Sequence, residues 1–117
     1  MADGFHTKKG FLTWEESVEI LLIDANHGIA RAQRLLAIRY LRGRGVPKDE
    51  AVAFYWMQLA AQQNFSMAQR SLGEFYENGF CIAPDITRVS HWYGLAALQG
   101  DSTAIEHLQR LAPPNTP

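Results

Sequence analysis

The chain has 117 residues, of which 47% are hydrophobic, 11% aromatic and 20% charged, which is one small domain of ordinary globular composition. A formal net charge of −1 leaves no global basic field of the kind that draws nucleic acid, and the apolar content excludes a disordered chain. The single cysteine forms no internal disulfide and anchors no multi-cysteine zinc site, so a disulfide-stapled secreted scaffold is excluded and a reducing compartment is expected.

Residues 1–12 read as an N-terminal tail. Lys8 and Lys9 are not followed by a long apolar run, because Thr13, Glu15, Glu16 and Glu19 interrupt it, so no signal peptide is read there. The longest apolar run, Ile20 to Ile23, is far below the roughly 20 residues of a membrane-spanning helix. A soluble, cytoplasmic protein with no membrane partner is expected.

Thr13-Trp14-Glu15-Glu16 is a capping box and opens the first predicted helix, which ends before Gly28. Phe11, Leu12, Val18, Leu21 and Leu22 are expected to cap the first helix pair. From residue 29 the chain repeats. A displacement of 36 superposes Ala32, Gln33, Arg34 and Leu36 on Ala68, Gln69, Arg70 and Leu72. It also superposes Tyr40, Gly43 and Asp49 on Tyr76, Gly79 and Asp85. Trp56, Leu59, Ala60, Ala61 and Gln63 fall on Trp92, Leu95, Ala96, Ala97 and Gln99. These are twelve identities without a gap, where chance gives roughly two.

The chain therefore divides into a leading half repeat (13–28), two full repeats (29–64 and 65–100), a trailing half repeat (101–112) and a C-terminal tail (113–117). Each full repeat reads as two helices. Gly43 and Gly79 stand where a left-handed residue ends the first, and Asp49 and Asp85 are N-cap types for the second. Ser66-Met67-Ala68-Gln69 reads as another capping box. Pro47 and Pro84 sit in the loop just before the second helix. Gly28, Asn64 and Gly100 follow the second helices at one phase, and Pro113-Pro114 stops the last helix. No segment alternates with the period of a strand. The expected fold is all-α: about six antiparallel helices in an α/α solenoid, with Tyr40, Tyr76, Trp56 and Trp92 packing between helices.

The run Leu72-Gly73-x-x-Tyr76-x-x-Gly79, followed by Asp85, Trp92-Tyr93, Ala96-Ala97 and Gly100, resembles the Sel1-like repeat. The first repeat matches through Ala30, Ala32-Gln33, Leu36, Tyr40, Gly43-Arg44-Gly45-Val46, Asp49, Trp56 and Ala60-Ala61. Cys81 departs from Gly45, Ala37 from Gly73, Met57 from Tyr93 and Asn64 from Gly100. The resemblance covers residues 13–111. It implies a right-handed, tetratricopeptide-like superhelix that acts as a protein-binding scaffold or adaptor and not as an enzyme. Short bacterial members also neutralise partner proteins, so an inhibitor or immunity role is the alternative. The cysteine pair of secreted members is missing, and no penicillin-related activity is carried over.

Chemistry-bearing residues have ordinary readings. His6, His27, His91 and His107 show no metal-ligand spacing. Cys81 lies in an interhelical loop; a thiol tucked beneath that loop is expected, with an exposed, redox-sensitive thiol as the alternative. Glu15, Glu16 and Glu50 sit in first helical turns, where the helix dipole favours them. Glu74 and Glu77 have no third ligand that would make a metal site. No catalytic residue, cofactor or metal is expected.

The informative positions are those that do not repeat. At about 100° per residue, Arg31, Arg34, Ile38, Leu41 and Arg42 share one face of their helix. The family's arrangement places this face on a concave groove, continued by Met67, Arg70, Glu74, Glu77 and Asn78, then by Thr103, Glu106 and Arg110. Residues 28–64 carry a net +4, against −3 for residues 1–27 and −1 for each remaining stretch. An acidic protein or peptide partner with apolar side chains suits such a groove, because arginine grips carboxylates bidentately. Pairing of these arginines with Glu74 or Glu77 of the same molecule is the competing expectation. RNA or another polyanion is disfavoured by those two glutamates, and a homodimer would cover exposed solenoid ends.

Overall fold

The computed structural model describes residues 12–112. Six helices follow in order: α1 (Trp14–Asn26), α2 (Ala30–Arg42), α3 (Glu50–Ala61), α4 (Ser66–Asn78), α5 (Ile86–Leu98) and α6 (Ser102–Leu111). Each helix packs on the next, giving the expected solenoid, with no strand among the described residues. The two tails lie outside those residues, apart from Leu12, and so do His6, Phe11 and the Pro113-Pro114 stop.

Local chemistry sets the helix boundaries. The Thr13 hydroxyl accepts from the Glu16 backbone N–H at 3.0 Å, and the Glu16 carboxylate accepts from the Thr13 N–H at 3.0 Å. Asp49, Asp85 and Asp101 cap α3, α5 and α6 through their carboxylates. Gly43 and Gly79 end α2 and α4 in the left-handed conformation, and Gly28, Asn64 and Gly100 turn the chain with positive φ.

The capping box expected at Ser66 does not form. Phe65 is the N-cap of α4 with no side-chain hydrogen bond, and Ser66 is already helical. Gln69 is used elsewhere. Its side-chain amide is buried and donates to the Ala61 carbonyl at 3.4 Å and the Asn64 side chain at 3.3 Å. Gln33, its equivalent, donates to the Ala25 carbonyl at 3.1 Å. Each of these glutamines thus adds a second hydrogen bond to a carbonyl in the last turn of the preceding helix, which also accepts the backbone N–H of Gly28 or Asn64. Gln63 and Gln99 extend the pattern by donating to Gln33 and Gln69 at 2.7 and 2.9 Å.

The main core runs through α2 to α6, around fully buried Met57, Leu72, Tyr93 and the alanines Ala53, Ala60, Ala68 and Ala96. A second cluster joins Val18 and Ala25 of α1 to Ala32 and Leu36 of α2. Tyr40 and Trp56 pack against both clusters, while Tyr76 is buried and Trp92 partly buried against the main one. All four aromatics therefore pack between helices. The expected N-terminal cap is only half right: Val18 is buried and Leu21 partly so, but Leu12 and Leu22 are exposed.

The departures Ala37 for Gly73 and Met57 for Tyr93 belong together. A Cβ at Gly73 would stand 2.6 Å from the Tyr93 ring, so a tyrosine at that place requires a glycine opposite. In the first repeat the shorter Met57 takes the tyrosine position, and Ala37 occupies the glycine position in the same core.

Cys81 corrects another expectation. It is exposed, not tucked under its loop. Phe80 and Ile82 fill the space beneath the loop by packing on the core. Cys81 also retains the left-handed backbone of its equivalent, with φ of 67° against 83° at Gly45, an uncommon conformation for a residue with a side chain.

Candidate functional site

Alternate helices form the inner face. α2 reaches α4 where Arg34 Nε donates to Ser71 Oγ at 3.2 Å. α4 reaches α6 through two ion pairs and one contact with an imidazole. Arg70 meets Asp101 at 3.2 Å, Glu74 meets His107 at 3.5 Å and Glu77 meets Arg110 at 2.8 Å.

The first repeat opens a cleft of about 450 Å³ on this face. It gathers Arg34, Ile38, Leu41 and Arg42 from α2 with Arg70, Glu74 and Asn78 from α4. A neighbouring depression of about 400 Å³ holds Arg31 and Met67 and shares Arg34 with the cleft. Glu77 is the one expected α4 residue that lines neither. It is held between Tyr93, whose hydroxyl donates to it at 2.7 Å, and Arg110.

The sequence reading missed Lys48, Glu50 and Phe80 at the cleft, with Ser71, Met57 and Phe75 at or beneath its floor. Lys48 and Phe80 come from loops and Glu50 from the first turn of α3, which a helical wheel of α2 and α4 does not display. On α6 it chose Glu106, which is exposed, whereas His107 faces Glu74 and stacks on Tyr93 with ring centroids 4.8 Å apart. Arg39 and Arg44 also belong to the basic middle of the chain, but they stack over Trp14 and leave the cleft to the other cations.

The two repeats differ in how their charges are satisfied. Around the second, every acid on the inner face has a cation: Glu74 also meets Arg70, at 3.7 Å. Hydrogen bonding from Arg110 holds the Glu77 carboxyl below its ordinary value, with Tyr93 assisting and burial opposing. Burial, and then Glu77, push the Tyr93 phenol far above its ordinary value. Around the first repeat, Arg31 and Arg42 make no ion pair with any described residue, and Arg34 bonds only the neutral Ser71 hydroxyl. Burial lowers Arg34 from the ordinary arginine value and the like charge of Arg70 adds to this, while Glu74 and Asp101 oppose it. A half-buried guanidinium that remains charged is a group that an incoming carboxylate would relieve. The competing expectation, pairing of Arg31, Arg34 and Arg42 with Glu74 or Glu77, does not occur.

The family model of the Sel1 repeat matches residues 30–65 and again residues 66–101. The chain belongs to this family. Sel1 repeats generally mediate protein–protein interactions. The crystal structure of a Sel1 repeat protein from Oxalobacter formigenes is similar, with 41% identity and a TM-score of 0.77, over 81% of this chain and 71% of that one. A protective antigen present in uropathogenic Escherichia coli strains, displaying an SLR fold, is 30% identical with a TM-score of 0.82. That likeness covers 86% of this chain but 22% of the antigen. No curated protein matches the chain in sequence. Among the described residues, no helix is long and apolar enough to cross a membrane.

Proposed function

We propose that this Sel1 repeat chain is a non-catalytic adaptor or scaffold of the cytoplasm that binds an acidic segment of a partner protein along the inner face of α2 and α4. The observation that supports this reading is the asymmetry of charge. Glu74, Glu77 and Asp101 are already engaged, whereas among the described residues Arg31 and Arg42 have no ion pair and Arg34 has only a neutral partner. A partner's carboxylates would complete the first repeat as Glu74, Glu77 and Asp101 complete the second. Arginine suits the task because its planar fork bonds both carboxylate oxygens.

The test is a binding titration with a fluorescent, glutamate-rich peptide and, in parallel, a single-stranded RNA of equal charge. Arg31→Glu with Arg42→Glu reverses two exposed charges that make no intramolecular ion pair among the described residues. Peptide binding should fall at least tenfold with unchanged helical circular dichroism. Unchanged peptide binding, or tighter binding of the RNA, would refute the reading.

A further inference from the structure

The inner face is not uniform along its length, and the difference lies in the equivalent positions of the two repeats. Where the second repeat has Glu74 and Glu77, the first has Ile38 and Leu41. Where α6 supplies His107 to cover Tyr93, α4 supplies the small Ser71 above Met57. Two carboxylates and an imidazole that close the second repeat on itself are thus replaced in the first by two aliphatic side chains and a small hydroxyl. The cleft opens there, floored by Ile38, Leu41 and Phe80, each partly buried against the core.

The rim is equally particular to the first repeat. Arg42 is replaced by Asn78 in the second repeat and Lys48 by Pro84. Glu50, the acid on the same rim, is occupied: it meets Lys48 at 3.9 Å and accepts the Cys81 N–H at 3.2 Å. Glu74, at the far wall, is held by Arg70 and His107. The cleft therefore joins an apolar floor to a rim whose uncommitted charge is positive, and about 450 Å³ is within the size range of pockets that enclose a ligand group.

We propose that this cleft is an anchor subsite for one aromatic side chain of the partner, flanked in the partner's sequence by carboxylates that reach Arg34 and Arg42. The inference rests on the reading of the inner face as a site for acidic segments and specifies what that segment must carry. Phe80 provides an edge or face for the ring, and Ile38 and Leu41 provide aliphatic contact. The flanking acids fix the ring's register along the groove, since the second repeat offers no uncommitted cation to compete for them.

Three short peptide probes test it: glutamate-rich with one central phenylalanine, the same with alanine, and a neutral serine-rich peptide with the phenylalanine. The acidic phenylalanine peptide should bind roughly tenfold or more tightly than either of the others. Its ring should shift the methyl resonances of Ile38 and Leu41 upfield in the unaltered protein. Ile38→Gln with Leu41→Gln should abolish the preference for phenylalanine over alanine while leaving acid-dependent binding in place. The methyl shifts need no variant, so misfolding of the double substitution would not remove the test. Equal binding of the two acidic peptides, both lost with Arg31→Glu and Arg42→Glu, would overturn the anchor subsite and leave the acidic-segment reading standing. Tighter binding of the phenylalanine peptide with unmoved methyls would place the ring elsewhere and also overturn it. Failure of both acidic peptides to bind would overturn both proposals.

Discussion

Gly73→Ala separates close packing from helix propensity, because the two predict opposite signs. Gly73 lies inside α4, where alanine is favoured over glycine by about 1 kcal/mol in an otherwise neutral setting. Here the added Cβ would stand 2.6 Å from two Tyr93 ring carbons and 3.2 Å from a third. The ring has little freedom to retreat: it is fully buried, stacked on His107 and tied through its hydroxyl to Glu77. Overpacking of this kind costs typically about 1–3 kcal/mol, so the net effect is a loss of roughly 1 kcal/mol after the propensity term is deducted. For a domain of this size that lowers Tm by about 4–8 °C. Gly73→Ala with Tyr93→Met rebuilds the Ala37–Met57 pair of the first repeat. The double-mutant cycle should show a favourable coupling of about 0.5–3 kcal/mol. Urea titrations of the four proteins, followed by far-ultraviolet circular dichroism, supply the energies. Strict additivity, or a more stable Gly73→Ala protein, would refute the argument that glycine and tyrosine are one packing unit.

Trp92→Ala should remove about 3 kcal/mol, the low end of the range for a core aromatic, because Trp92 packs on the main core but is only partly buried; an unshifted melt would contradict its placement. Cys81→Gly should raise stability by roughly 0.5–1 kcal/mol, since φ of 67° suits glycine and the exposed thiol makes no core contact to lose; a lower Tm would show that the loop needs the side chain. The Glu77 carboxyl is held below its unfolded value by Arg110 and Tyr93, so its contribution is present above about pH 4.3 and is lost as acid titrates the folded group. Glu77→Gln should therefore flatten the fall in stability on acidification, and an unchanged pH profile would count against the Glu77 network.

What the sequence made legible was whatever recurs at the period of 36. Helix order, the aspartate caps and the left-handed turns follow from residues whose local chemistry is decisive by itself. The Ser66 capping box misled because a local motif was weighed without its partner: Gln69 repeats Gln33, and a glutamine buried at both places serves the preceding helix. Cys81 misled because burial of a loop side chain depends on what else fills the space, here Phe80 and Ile82. Helical angle grouped Arg31, Arg34, Ile38, Leu41 and Arg42 on one face of α2, and the family resemblance supplied the groove and its α4 continuation, of which Glu77 lines neither hollow. Lys48 and Phe80 were not legible, because loop direction decides where they point. His107 was hidden for a different reason. Its place opposite Glu74 depends on how α6 lies against α4, and no property of α6 alone encodes that.

The substitutions between repeats also explain how one scaffold supports two kinds of inner face. A solenoid needs its shared positions only to stack one unit on the next, so the positions facing the groove are free to diverge without cost to the fold. In the second repeat they converge on a closed set: Tyr93, Glu77, Arg110, Glu74 and His107 satisfy one another, and a partner would have to break ion pairs to enter. In the first, Ile38, Leu41 and Ser71 stand at the places of Glu74, Glu77 and His107, and the cations Arg31 and Arg42 stand at those of Met67 and Asn78. Desolvating a paired charge returns little, whereas supplying a counter-charge to a half-buried arginine returns more. The near-neutral total of the chain therefore conceals a division: the second repeat neutralises its own groove, whereas the first leaves Arg31 and Arg42 without an ion pair among the described residues.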